Sequence, residues 1–314
     1  KKYNFDYDRI TDGLKLMLWG FFKKVVIADR VAVIVNQVYN NPHDAAGLPL
    51  LIGTYLFAFQ IYCDFSGYSD IAIGAAKVFG IDLMQNFRRP YFAKSIREFW
   101  QRWHISLSTW FRDYLYQSLG GNHATRWRWY YNIMIVFLIS GLWHGANWTF
   151  VIWGGLHGSY YLFSYWTRNI RLKLTQLFKL DKVPFLQKTL RVLFIFHIVL
   201  FGWIFFRANT FSDAIFIVTH LFMGIGDVLS NIINIGQGHG VLNFVLALPK
   251  SEILIAFVAL LILGIHDLIQ RKGSARVWLQ SKPIWFRWVV YYGLVLSILI
   301  FGYLESSEFI YFQF

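Results

Sequence analysis

Apolar residues in this chain gather into long runs, the cleanest being Leu190 to Phe206, Ile253 to Ile269 and Val289 to Leu304. About 20 apolar residues in a helix cross a hydrocarbon core of about 30 Å, so each run predicts a membrane-spanning helix. Four further runs are less pure: Leu14 to Tyr39, Leu48 to Phe79, Tyr130 to Phe150 and Trp148 to Trp166. The first is interrupted by Lys23, Lys24, Asp29 and Arg30, and the others carry Asp, His or paired Gly. Spans of this kind face protein or a water-filled cavity, because lipid leaves such groups unsatisfied.

Residues Gln85 to Asn122 follow another pattern, with Arg88, Arg89, Lys94, Arg97, Arg102 and Arg112 set among many aromatic side chains. Ser95 is a suitable N-cap with Glu98 at the capping-box position. From there Trp103, Leu107, Trp110 and Tyr114 recur on one helical face, with His104, Ser108 and Arg112 as an adjacent stripe. The pattern predicts one amphipathic helix lying in the membrane interface. It serves either as a basic aromatic anchor on the headgroups or as a contact for an anionic substrate.

Composition strengthens the membrane assignment: 56% of residues are hydrophobic and only 15% charged, against about 25% charged in soluble domains. The fold class is therefore all-α, a polytopic integral membrane protein. The net charge of +13 does not point to nucleic acid, since the basic residues lie between apolar runs. They cluster instead in particular loops. Thr167 to Arg191 carries seven basic residues against Asp181, and Arg271 to Arg287 is again basic, which places both loops in the cytoplasm. Residues 207 to 252 and the tail with Glu305 and Glu308 then face outward. Cys63 is the single cysteine, which excludes an internal disulfide and leaves no ligand set for structural zinc. The chain begins Lys-Lys-Tyr without a signal peptide, and we expect a single membrane-embedded domain over 1–314 that lacks preceding N-terminal spans.

Candidate chemistry centres on His144, inside Ser-Gly-Leu-Trp-His-Gly-Ala. A histidine at that depth either packs against a carbonyl or relays a proton near neutral pH. Gly141 and Gly145 flank it, Gly154 and Gly158 flank His157, and small residues at this spacing let helices approach closely. Trp143 offers a flat wall, and Asn147 lies just beyond the motif as a substrate contact. His197 reads as a packing residue and His266 as an interfacial partner of Asp267. Asp64 and Asp70 need partners within their apolar stretch; pairing with arginines of the Arg88 to Arg112 segment is one role and catalysis the other. Serine-hydrolase, Walker A, zincin and dinucleotide motifs are all absent. A transporter or flippase using His and Asp as a proton relay stays open.

Four stretches together resemble the membrane-bound O-acyltransferase family, in its bacterial branch that acylates cell-envelope polymers. They are Asp64 to Asp70 (DFSGYSD), Asn86 to Tyr116 (beginning NFRRPY and including EFWQRWHISLS), Gly141 to Gly158 (with GLWHGA and WGGLHG) and Phe309 to Phe314 (FIYFQF). The resemblance implies a multi-helix core with a central tunnel and re-entrant helices. It implies His144 as the principal catalytic residue, His104 as a second, and Tyr311, within the F-x-Y-x-x-F tail, as a transient acyl carrier. Arg97, Arg102 and Arg112 with Trp143 and Asn147 would then meet the donor, an acyl thioester such as acetyl-coenzyme A, with no bound cofactor and no metal. The implied setting is the bacterial inner membrane, with the C-terminus outside. An extracytoplasmic transfer protein and a polysaccharide acceptor are the implied partners.

Overall fold

The computed structural model describes residues 5–123, 125–224 and 250–303. Every regular element among them is helical. Four helices, Leu48–Val78, Pro184–Arg207, Ser251–Ile269 and Ile284–Phe301, are long and apolar enough to cross a membrane; they contain the first two of the cleanest runs and overlap the third. Tyr311, with Phe309 and Phe314, lies outside the described residues. The described residues fall into two compact units, one from Lys1–Met84 and Thr219–Gln313, the other from Gln85–Val218.

In the first unit, α1 (Tyr7–Phe21) runs through a π-helical turn, π1 (Phe22–Ala28), into α2 (Asp29–Asn40). Asp6 starts it, its side chain accepting from the Arg9 N–H at 3.0 Å. The long helix α3 (Leu48–Val78) follows, with Pro49 in its first turn, where a missing N–H is harmless. Helices α1 and α3 touch backbone to backbone. A Cβ built on Gly13 would lie 2.6 Å from the Gly74 carbonyl oxygen, and one on Gly20 would lie 2.7 Å from that of Gly67.

This close approach lets short-range ion pairs form between the helices. Lys23 is 3% exposed and donates to Ser66 Oγ at 2.9 Å while pairing with Asp70 at 2.8 Å. Lys24 pairs with Asp64 at 2.6 Å and Asp29 at 2.8 Å. The partners of Asp64 and Asp70 are thus lysines of π1, and the expected pairing with arginines of the 88–112 segment is corrected. The reason is geometric: α1 is already clasped to α3, and two successive lysines at the widened turn reach carboxylates six residues apart. Past α3, this unit holds α11 (Lys250–Ile269), α12 (Ala275–Gln280) and α13 (Ile284–Phe301).

The second unit holds α4 (Ile96–Trp100), α5 (Ile105–Trp110), a π-helical turn π2 (Phe111–Tyr116), α6 (Arg126–His144), α7 (Trp148–Trp166), α8 (Arg168–Leu177) and α9 (Pro184–Arg207). In sequence, α10 (Phe211–His220) spans the boundary between units. Ser95 caps α4 as expected: its side chain accepts from the Glu98 N–H at 3.1 Å, and Glu98 Oε2 accepts from the Lys94 N–H at 2.6 Å. The single amphipathic helix expected beyond it is broken between Trp100 and Ile105. Upstream residues compete for its backbone. The Arg102 carbonyl accepts from the Arg88 N–H, and the Asn86 carbonyl takes the Ile105 N–H. Asn86 Oδ1 accepts from the Ser106 N–H and hydroxyl. Trp103, 2% exposed, anchors the break against Phe87 and Trp203, each with ring centroids 5.0 Å away.

Residues 130–150 are likewise not one helix, for α6 ends at His144 and Asn147 caps α7. These two helices cross at their glycines. A Cβ at Gly154 would lie 2.2 Å from the Phe137 carbonyl oxygen and 3.3 Å from Gly141 Cα. Overpacking such a contact costs about 1–3 kcal/mol. Gly154→Ala should therefore lower the thermal midpoint of the detergent-solubilised protein, whereas Gly155→Ala, whose Cβ would meet only Leu138 Cδ2 at 3.5 Å, should not.

Candidate active site

The α6–α7 corner places His144 on the last residue of a helix, 7% exposed. Aromatic rings surround it: Trp143, Trp153 and Phe206 have centroids 5.0, 5.2 and 5.0 Å from the imidazole. Helix α7 supplies Trp153 and α9 supplies Phe206, so three helices fix the ring in one orientation. The apolar rings lower the local dielectric on the faces of the imidazole that they cover, which strengthens any charge interaction formed there.

His104 comes from the broken segment. It occupies the left-handed region at φ 43°, which L-residues seldom adopt and which the Asn86 contacts to Ile105 and Ser106, just after it, hold in place. Backbone outliers of this kind cluster at functional sites. Its ring is 6.3 Å from Trp143, and it lies within electrostatic reach of His144. The two predicted histidines, 40 residues apart in sequence, are thus gathered about one indole. Burial pushes the His104 imidazole down to about 4, so it enters any reaction near pH 7 as a neutral donor or acceptor.

The other predicted contacts are distributed unevenly. Arg102 is engaged, donating to Glu98 and to the Arg89 carbonyl. Arg112 is exposed and paired with Asp113 at 2.7 Å; the hydrogen bond it donates holds the Asp113 carboxyl below its usual range. Arg97 is exposed, with no ion pair among the described residues. Trp143 is 55% exposed and forms an open wall beside His144. Asn147 is a helix cap: its Oδ1 accepts from the Thr149 N–H at 3.1 Å and its Nδ2 donates to the Asn209 carbonyl at 3.1 Å.

One group was undervalued by sequence reasoning, which treated His157 only as part of a glycine-flanked packing motif. It is fully buried, and neither ring nitrogen has a hydrogen-bond partner among the described residues. Trp100 and Trp153 each lie 5.0 Å from it by ring centroid. A Cβ at Gly202 would come within 2.9 Å of its Nε2. Trp153 therefore has an imidazole on two sides, His144 and His157. The spacing of Trp153 and His157, four residues apart, was the available signal, but it is also the spacing of any two stacked core residues.

With the histidine pair and its aromatic wall in place, relatedness can be assigned. The profile of the membrane-bound O-acyltransferase family, MBOAT, matches residues 13–208. The chain belongs to this family. The matched stretch includes Asp64, His104, His144 and His157. Among its relatives, a protein named probable alginate O-acetylase from Azotobacter vinelandii is 39% identical over 260 residues, covering 83% of this chain and 48% of that protein. One of the same name from Pseudomonas putida is 34% identical over 319 residues, covering 98% of this chain and 62% of its own length. The peptidoglycan O-acetyltransferase of Helicobacter pylori is 39% identical over 214 residues, covering 67% and 38%. The chain spans about half the length of the relatives it matches.

Proposed function

We propose that the protein of which this chain forms at least part is an O-acyltransferase of the bacterial inner membrane. It takes an acyl group, acetyl from acetyl-coenzyme A, and passes it outward for O-acylation of an extracytoplasmic polysaccharide through a secreted transfer partner. The observation that carries this reading is the convergence of His104 and His144 on Trp143 in an aromatic corner. The names of the relatives support the acyl class and a cell-envelope acceptor.

In the proposed step an acceptor hydroxyl, that of Tyr311 in the outward-facing tail, attacks the thioester carbonyl carbon. A C–O bond forms, the C–S bond breaks, and the hydroxyl proton passes through His144 to the leaving thiolate. His104, neutral at pH 7, supplies a hydrogen bond to the carbonyl oxygen as negative charge develops there. A phenol suits a relay: with a pKa near 10, its ester is more reactive than an alkyl ester and less labile than a thioester. Arg97, exposed, is the guanidinium best disposed toward the donor's phosphates, since Arg102 and Arg112 are balanced by Glu98 and Asp113. The proton-relay transporter is less well supported, because Asp64 and Asp70 are ion-paired with lysines.

The test is incubation of full-length protein with acetyl-labelled coenzyme A thioester, followed by mass analysis of the C-terminal peptide. An acetyl adduct on Tyr311 during turnover is expected. No adduct, together with an active Tyr311→Phe variant, would reject the shuttle, and no consumption of thioester at all would reject the donor.

A further inference from the structure

The second unit carries, away from the histidine corner, a ring of aromatic and basic side chains that the proposed chemistry does not use. Helices α6 and α7 run antiparallel, so the start of α6 lies beside the end of α7. Trp129 and Tyr165 have ring centroids 4.9 Å apart, and Tyr130 and Trp166 5.4 Å. Trp127 and Trp166 are exposed. Arg126 and Arg128 stand exposed among these rings, Arg128 over Tyr131 at 5.4 Å. Tryptophan and tyrosine gather where a membrane meets water, which marks this end of the helix pair as a boundary level.

Helix α8 leaves from the same end. At 100° per residue, Ile170, Leu174 and Leu177 share one face, and they are 58, 44 and 72% exposed. Arg171 and Lys173 edge that face on its two sides, and no residue of α8 is buried. A basic amphipathic helix of this kind lies in the plane of the headgroups with its apolar stripe at the acyl boundary. Two helices then bring like charges together. Arg191, exposed on α9, is close enough to Arg171 to repel it, while Arg171 donates to the Ser164 carbonyl and hydroxyl, both neutral. Among the described residues, Arg171, Lys173 and Arg191 form no ion pair. From Arg126 to Arg191 the sequence holds nine lysines and arginines against one carboxylate, Asp181.

We propose that α8, with Arg191 and the aromatic rim of α6 and α7, is a docking surface for anionic phospholipid. The lipid phosphate lies between Arg171 and Arg191 and relieves their repulsion; the acyl chains run along Ile170, Leu174 and Leu177. The apolar stripe selects an amphiphile, because a soluble anion would leave it in water. The charge selects an anionic headgroup, because a zwitterionic one brings a cation of its own to a surface already unbalanced.

Full-length protein in detergent, titrated with dioleoylphosphatidylglycerol or dioleoylphosphatidylcholine, tests this. Native mass spectrometry reads the affinity of the first lipid bound, and the thermal midpoint is followed in parallel. Phosphatidylglycerol should bind more tightly than phosphatidylcholine and raise the midpoint further. Its affinity should fall about 5-fold in Lys173→Gln and in Arg191→Gln, and about 30-fold in Arg171→Gln/Arg191→Gln, the scale for one and two basic residues at an anionic surface. Phosphatidylcholine affinity should stay the same in all of them. Equal affinity of the wild-type protein for the two lipids overturns the proposal. So does wild-type affinity for phosphatidylglycerol in both single variants, neither of which removes a hydrogen bond described above, so both remain informative where the double variant does not fold. Displacement of phosphatidylglycerol by stoichiometric glycerol 3-phosphate would make this a soluble-anion site, and displacement by hexaglutamate a surface for an acidic protein; either result overturns the lipid assignment.

Discussion

In the full-length protein, His144→Gln lowers kcat for acyl transfer by about 10²–10⁴-fold, the usual contribution of a positioned general base, while KM for the thioester stays near wild type. Glutamine fills much of the imidazole's place between Trp153 and Phe206, so the corner stays closed and the loss reports proton transfer. The uneven effect on the two constants matters, because an interaction made only in the transition state lowers kcat and kcat/KM together. Steady-state release of coenzyme A, with size-exclusion elution as the check on folding, measures both. If the variant turns over like wild type, His144 is a packing residue and the mechanism fails.

Asp70→Ala has the largest expected effect on stability. It leaves the Lys23 ammonium, 3% exposed, with Ser66 Oγ as its remaining partner among those described above. Uncompensated buried charges cost about 3–5 kcal/mol. The variant should unfold in detergent well below the wild-type temperature. Adding Lys23→Met should recover much of the loss, because a buried pair replaced by apolar groups is often neutral. A double variant no more stable than Asp70→Ala would show that Asp70 acts on something other than Lys23.

The membrane helices were legible because lipid imposes a simple rule on sequence. Pro184–Arg207, Ser251–Ile269 and Ile284–Phe301 overlap the runs that composition alone marks out. The histidine pair was legible for a different reason: the motifs around His104 and His144 are distinctive in combination. Failures of sequence reasoning occurred where distant backbone competes with local preference. The helix expected onward from Ser95 has good periodicity, yet Arg88 and Asn86 capture the Arg102 carbonyl and the Ile105 N–H that would have carried it through residues 101–104. Asp64 and Asp70 were matched to the wrong cations because nothing in a linear pattern shows that π1 turns Lys23 and Lys24 toward α3. The surroundings of His157 were missed because Trp100, Trp153 and Gly202 come from three helices and look like ordinary core residues in each.

Helix α3 has 31 residues, which at 1.5 Å per residue makes it about 46 Å long. A hydrocarbon layer is about 30 Å thick, so α3 either leans strongly or extends past the lipid tails. It does not lean alone: the reciprocal glycine contacts and the Lys77 bridge to Asp12 at 2.7 Å make α1 follow. Lipid chain length therefore acts on the inclination of this rigid pair, and vesicles of short- and long-chain phosphatidylcholine should support different rates from the same protein.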